Sequence, residues 1–174
     1  MLRKALLILV VIFISCTSDK KKNEYLIKVH EGFRDEIGVK TGYLNQKGDT
    51  IVALGKYYYC YTDTITNYGI VKKINGPYIA INRNDEYLYD VYEFDNGPDL
   101  VREGYFRIII DKKIGYANTS GDIVIDPIYE CAFPFNNGKA RVSLNCETKK
   151  NGEYQMASSN SWIFINTKGE EIKK

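Results

Sequence analysis

The stretch Lys113-Ile114-Gly115-Tyr116-Ala117-Asn118-Thr119-Ser120-Gly121-Asp122-Ile123-Val124-Ile125-Asp126-Pro127-Ile128-Tyr129 decides the fold. Two runs of β-branched and aromatic residues flank a polar turn, residues 119–122, whose Gly121 stands where a positive φ is needed. Pro127 cannot donate to a strand ladder, so the second run either breaks at Asp126-Pro127 or lies at a sheet edge. The chain continues Phe133-Pro134-Phe135-Asn136-Asn137-Gly138-Lys139-Ala140-Arg141-Val142, where Asn137-Gly138 signals a hairpin before one more strand.

The same grammar recurs. Leu44-Asn45, Ile81-Asn82, Ala117-Asn118 and Ile165-Asn166 each run an apolar residue into asparagine and then a polar turn, at intervals of 37, 36 and 48 residues. A period in this range denotes an array of supersecondary units. The units are read as about 37–73, 74–108, 109–160 and a partial 161–174. An insertion at 143–161 contains Asn151-Gly152 and is expected to form a projecting hairpin or loop. The second unit lacks the turn glycine, but its Tyr92 to Gly97 mirrors Phe133 to Gly138 at a spacing of 41. No apolar pattern of period 3.6 persists. The expected fold class is all-β: an array of antiparallel β-hairpin repeats, solenoid-like or a strongly twisted sheet, with propeller-like closure as the alternative. A strand at about Tyr25 to Val29 is expected to cap one end.

The N-terminus has a different character. Arg3 and Lys4 precede an unbroken apolar run from Ala5 to Ile14, too short to cross a membrane as a helix and typical of a secretory signal over residues 1–15. Phe13-Ile14-Ser15-Cys16 resembles the lipobox of bacterial lipoproteins, with Phe in place of the usual Leu. That resemblance implies lipidation at Cys16, residues 16–24 as a polar tether, a repeat domain over 25–174, and a place in the bacterial cell envelope, at the outer membrane or facing the periplasm. An ordinary signal cut elsewhere, or a single-pass anchor, is the alternative.

Without Arg3 and Lys4 the 24 basic residues fall to 22, against 22 acidic ones, which argues against nucleic acid as a partner. Beyond Cys16 the cysteines are Cys60, Cys131 and Cys146, so at most one internal bridge can form. Cys131 and Cys146 are its best candidates because they share one unit and flank a hairpin-like segment; three free thiols are the other reading.

The third unit carries most of a pattern that resembles the WG-repeat family: Gly115-Tyr116, Asn118, Gly121, Ile123 to Ile125, Pro127, Tyr129, Phe135, Gly138, Ala140 and Val142. The likeness covers about Ile37 to Lys174, although no unit keeps a Trp-Gly pair: Trp162 is followed by Ile163, and Gly42 and Gly115 follow Thr41 and Ile114. The family implies repeated antiparallel β units, often on exported proteins, and no assigned catalytic residue.

Chemistry is sparse. His30 is the sole histidine and is expected at the surface, which leaves little for triads or histidine metal sites. Asp85-Glu86, Glu93 with Asp95, and Glu170-Glu171 are carboxylate pairs of a kind that turns collect for hydrogen bonding. Asn82 to Asp85 lacks the ligand spacing of a calcium loop. No cofactor or metal site is expected. Tyrosine stands out at 15 of 174 residues. In a strand, Tyr57, Tyr59 and Tyr61 would share one face; with Tyr87 and Tyr89 nearby they could present flat rings to a sugar or a protein. The competing reading is that these rings fill a shallow core. The expected function is a lipid-anchored, non-enzymatic envelope protein binding a protein or glycan. An envelope-polymer hydrolase using paired carboxylates and an immunity-type inhibitory lipoprotein are the alternatives.

Overall fold

The computed structural model describes residues 24–151 and 154–173. Cys16, the signal segment and most of the tether lie outside them. Among the described residues the chain is all-β, in several antiparallel sheets, none closed into a barrel. No helix there is long and apolar enough to cross a membrane.

The repeating element is a three-stranded meander: a lead strand, a strand that runs into the asparagine turn, and a return strand. In the first unit these are β1 (Leu26–His30), β2 (Thr41–Asn45) and β3 (Thr50–Val52). Two short strands follow, β4 (Tyr59–Cys60) and β5 (Thr64–Ile65); β5 joins β1, giving a four-stranded sheet in the order β3-β2-β1-β5. The second meander is β6 (Gly69–Lys72), β7 (Tyr78–Ile81) and β8 (Tyr87–Val91). After the small hairpin β9 (Glu93–Phe94) and β10 (Gly97–Pro98), the third meander is β11 (Tyr105–Ile110), β12 (Lys113–Asn118) and β13 (Ile123–Tyr129). Strand β11 pairs with β8, so two meanders fuse into one seven-stranded sheet, β13-β12-β11-β8-β7-β6-β4. Next come β14 (Cys131–Ala132) and β15 (Lys139–Ser143). A separate hairpin, β16 (Glu147–Asn151) with β17 (Tyr154–Ser158), occupies the insertion. The last strand, β18 (Ile163–Asn166), completes the sheet β14-β15-β18.

Of the two readings of Pro127 the structure takes the sheet edge: the second run of the third unit does not break at Asp126-Pro127, and β13 continues through Pro127 with register shifts against β12. It can do so because β13 is the outermost strand of its sheet, where proline is tolerated. The N-terminal strand β1 lies between β2 and β5 in the first sheet.

All four asparagine turns share one geometry. The side-chain oxygens of Asn45, Asn82, Asn118 and Asn166 each accept the backbone N–H groups two and four residues on, at 2.8–3.1 Å. Each side-chain amide donates to the carboxylate four residues on, namely Asp49, Glu86, Asp122 and Glu170, at 2.7–3.2 Å. The worn second unit keeps this turn by placing Asp85 at φ +63°, where Gly48, Gly121 and Gly169 have φ between +81° and +87°. In the first three units a register shift falls at one position, between the residues two and one before the asparagine.

Three apolar clusters form the core. One joins the first sheet to one face of β6 and β7 through Tyr43, Val52, Ile65, Ile79 and Ile81. The opposite face of β7, with Tyr78 and Ala80, packs with Tyr89, Phe106 and Ile108. The third unit packs on the last sheet through Tyr116, Tyr129, Phe135, Val142 and Ile165. Between the second and third units, Arg107 and Asp99 form a bidentate pair that is almost wholly buried, with Nη2 2.5 Å and Nε 3.0 Å from the carboxylate. Arg107 also donates to the Ala132 carbonyl, and its guanidinium lies 3.9 Å from the Tyr92 ring centre. Breaking such a buried pair costs about 3–5 kcal/mol, because the remaining charge is left uncompensated.

Candidate functional site

The tyrosines do not form an open face. Only Tyr59–Cys60 of the cluster is strand, so the alternation expected of residues 57–61 is not maintained. Tyr57 and Tyr59 are buried, Tyr61 is half-buried, and Tyr58 alone is exposed. Tyr89 is buried, whereas its strand neighbour Tyr87 is 54% exposed. The hydroxyls act as ties. Tyr57 donates to Asp85 at 2.8 Å and Tyr59 to Asp35 at 2.8 Å. Tyr89 donates to the Gly121 carbonyl at 2.8 Å, and Tyr61 meets the Tyr78 hydroxyl at 3.4 Å. Two of these, from Tyr57 and Tyr89, fasten a unit to the asparagine turn of the next. Burial raises all four phenols, Tyr61 to about 12.

The candidate chemical groups are similarly engaged. Asp85 accepts from Lys56 as well as Tyr57, Glu93 from Lys72, and Glu86 and Glu170 from their turn asparagines. No group of residues that could hold a metal ion occurs among the described residues. Cys131 and Cys146 form a disulfide, with Cα atoms 5.8 Å apart. Cys60 is a free, fully buried thiol whose pKa burial pushes up. His30 is half-buried at the end of β1, paired with Thr41 of β2; its Nδ1 is enclosed without a hydrogen-bond partner among the described residues.

A different surface has side chains that the core does not use. Strand β15 alternates exposed Lys139 and Arg141 with buried Ala140 and Val142. Its partner β18 places Phe164 directly opposite Arg141, and Trp162 precedes the strand by one residue. The Arg141 guanidinium lies 4.3 Å from the Phe133 ring centre and 4.6 Å from that of Trp162; Lys139 Nζ is 5.3 Å from that of Phe164. Phe133, Lys139, Arg141 and Phe164 line a groove of about 850 Å³ whose far wall is the hairpin tip at Val101, Arg102 and Glu103; Trp162 adjoins it through Arg141. At that tip Glu103 and Gly104 both have positive φ, as a two-residue primed turn requires, and so do Asn137 and Gly138 in the facing turn. The Glu103 carboxylate clamps the two turns together by accepting the N–H groups of Asn137 (2.6 Å) and Gly138 (2.9 Å).

The electrostatics follow from that clamp. The groove carries Arg102, Lys139 and Arg141 against a single carboxylate, Glu103, which is already occupied. None of the three cations has an ion-pair partner among the described residues. A strip lined with rings and carrying three cations against one carboxylate can hold a planar or anionic group by cation–π contact and charge-assisted hydrogen bonds.

Residues 114–145 match the family model described as WG containing repeat. The matched stretch runs from β12 through β15, supports the resemblance read from the sequence, and brings Phe133, Lys139 and Arg141 to the groove. Phe164 lines the groove from outside the WG match, with Trp162 adjoining it. No curated protein and no solved structure matches the chain. Reading residues one by one missed this surface, although Lys139-x-Arg141 and Trp162-x-Phe164 carry the period-2 signal of a strand face.

Proposed function

We propose that this chain is a non-enzymatic WG-repeat binding module of the bacterial cell envelope, held by a lipid on Cys16, that engages a glycan or protein through the β15–β18 face. The observation that carries this reading is the set of Phe133, Lys139, Arg141 and Phe164 gathered on one open groove with Trp162 beside it, where three cations, Arg102 included, face a single carboxylate. The use of most carboxylate pairs in turns and salt bridges, and the raised pKa of Cys60, favour binding over catalysis. Buried tyrosines favour this face over the tyrosine cluster.

One experiment examines both halves of the proposal. The full chain carrying Cys16→Ala is expected in the soluble fraction, and in that form to be retained on native envelope material. Adding Arg141→Ala and Phe164→Ala should reduce retention at least tenfold without changing the circular dichroism spectrum. A Cys16→Ala protein still held in membranes by a lipid would refute the anchor. Unchanged retention of the triple variant would refute the face.

A further inference from the structure

Two features of the groove narrow the partner, on the premise that the β15–β18 face is the binding surface. The first concerns the strand edge. Extended peptides are commonly captured by adding a strand to an exposed sheet edge, where the backbone supplies the affinity. On β18 that edge is taken by the chain's own C-terminal segment. Ile172 N–H donates to the Phe164 carbonyl at 2.8 Å, and Ile165 forms a bridge with Glu171. Recognition here therefore falls to side chains on the sheet face.

The second feature is what those side chains offer. Phe164 is exposed and Phe133 and Trp162 are half-buried, with the planar Arg141 guanidinium against the latter two rings. Flat rings pair with the flat C–H face of a pyranose. Guanidinium groups pair with carboxylates through two parallel N–H···O bonds. Arg102 and Lys139 add charge on either side of the groove, while the chain as a whole is nearly balanced at 24 basic against 22 acidic residues. The cationic character is local.

We infer that the groove binds an acidic polysaccharide, with sugar rings lying on the aromatic side chains and carboxylates engaged by Arg102, Lys139 and Arg141. Trp162 is the only tryptophan in the chain and stacks on the Arg141 guanidinium beside the groove, so tryptophan emission, excited selectively over the tyrosines, reports on this face.

The test is a fluorescence titration of the full chain carrying Cys16→Ala with three polymers at low and high salt. Polygalacturonate is the acidic glycan, its fully methyl-esterified form is the same backbone without charge, and poly-glutamate is the charge without sugar rings. Polygalacturonate should shift Trp162 emission and bind at least tenfold more tightly than either control, and should weaken as salt rises. Arg141→Gln should lower its affinity about tenfold, the loss expected for one charge-assisted contact. Arg102→Gln, which removes an exposed charge with no ring contact, should do the same without risk to the fold. Equal binding of poly-glutamate would overturn the glycan, and equal binding of the methyl ester would overturn the acidic group. No response to any polymer would overturn the inference outright. Retention on envelope material that survives any of these failures would leave the binding face standing and reject only the ligand class.

Discussion

Asp85 holds, at φ +63°, the turn position that glycine fills in the other three units. A left-handed backbone costs a non-glycine residue about 1–2 kcal/mol, so Asp85→Gly looks stabilising from the backbone alone. The side chain argues otherwise, since its carboxylate accepts the Tyr57 hydroxyl at 2.8 Å and pairs with Lys56. Hydrogen bonds involving a charged group are worth about 1.5–3 kcal/mol each, and removing this one strands a buried phenol. Asp85→Gly should therefore destabilise the protein by about 1–2 kcal/mol, read as a lower urea midpoint; a higher midpoint would show that backbone strain dominates. The asparagine of each turn was legible from sequence because its bonds close within five residues. The exchange of glycine for Asp85 was not, because its compensation comes from Lys56 and Tyr57, almost thirty positions away.

At the scale of strands, the glycines of the WG-like pattern have a steric cause. A Cβ on Gly115 would lie 2.5 Å from the Ile125 carbonyl oxygen and 2.7 Å from the Pro127 nitrogen, both backbone atoms of the return strand; Gly42 is equally confined against the Val52 carbonyl. Backbone cannot yield as a side chain tip can, so Gly115→Ala should cost about 1–3 kcal/mol in a urea titration. Little or no loss would mean that β13 can move away from β12. The sequence marked both glycines but could not give their reason, because the close approach depends on where β13 crosses.

A second element-level device joins β1 to two loops. Lys28 Nζ lies 2.5 Å from Asp35 and 2.6 Å from Asp63. Burial pulls the Lys28 pKa down, but the two carboxylates outweigh it and leave it above its ordinary 10.5. The Lys28 hydrogen bond, opposed by burial and aided by Tyr59, holds Asp35 below its ordinary 3.8. A lowered acid stabilises the fold above its unfolded pKa and loses that contribution as pH falls through the folded value. A raised base stabilises below its unfolded pKa and loses it as pH rises through the folded value. The urea midpoint of wild type should therefore exceed that of Lys28→Met between about pH 4 and 10.5, with the gap closing on both sides. A constant gap would assign the effect to packing alone.

Across the molecule two sets of aromatic residues stand apart. Tyr43, Tyr57, Tyr59, Tyr78, Tyr89 and Tyr116 are buried and hydrogen-bonded, which makes them fasteners of the array. Trp162 and Phe164, with Phe133, line or adjoin the cationic groove. Composition could show that the chain is rich in rings, and the repeat could show that it is all-β. Neither could show which rings the core uses, because that depends on which sheets meet. The fusion of two meanders through β8 and β11, and the pairing of β15 with β18 across the inserted hairpin, join residues far apart along the chain.

The division is best tested by amide hydrogen exchange on the full chain carrying Cys16→Ala, with and without saturating polygalacturonate. Added protection is predicted at residues 133–141 and 162–166, with residues 57–61 and 87–89 unchanged. Protection confined to the tyrosine segments, with the β15–β18 region unaltered, would contradict the account.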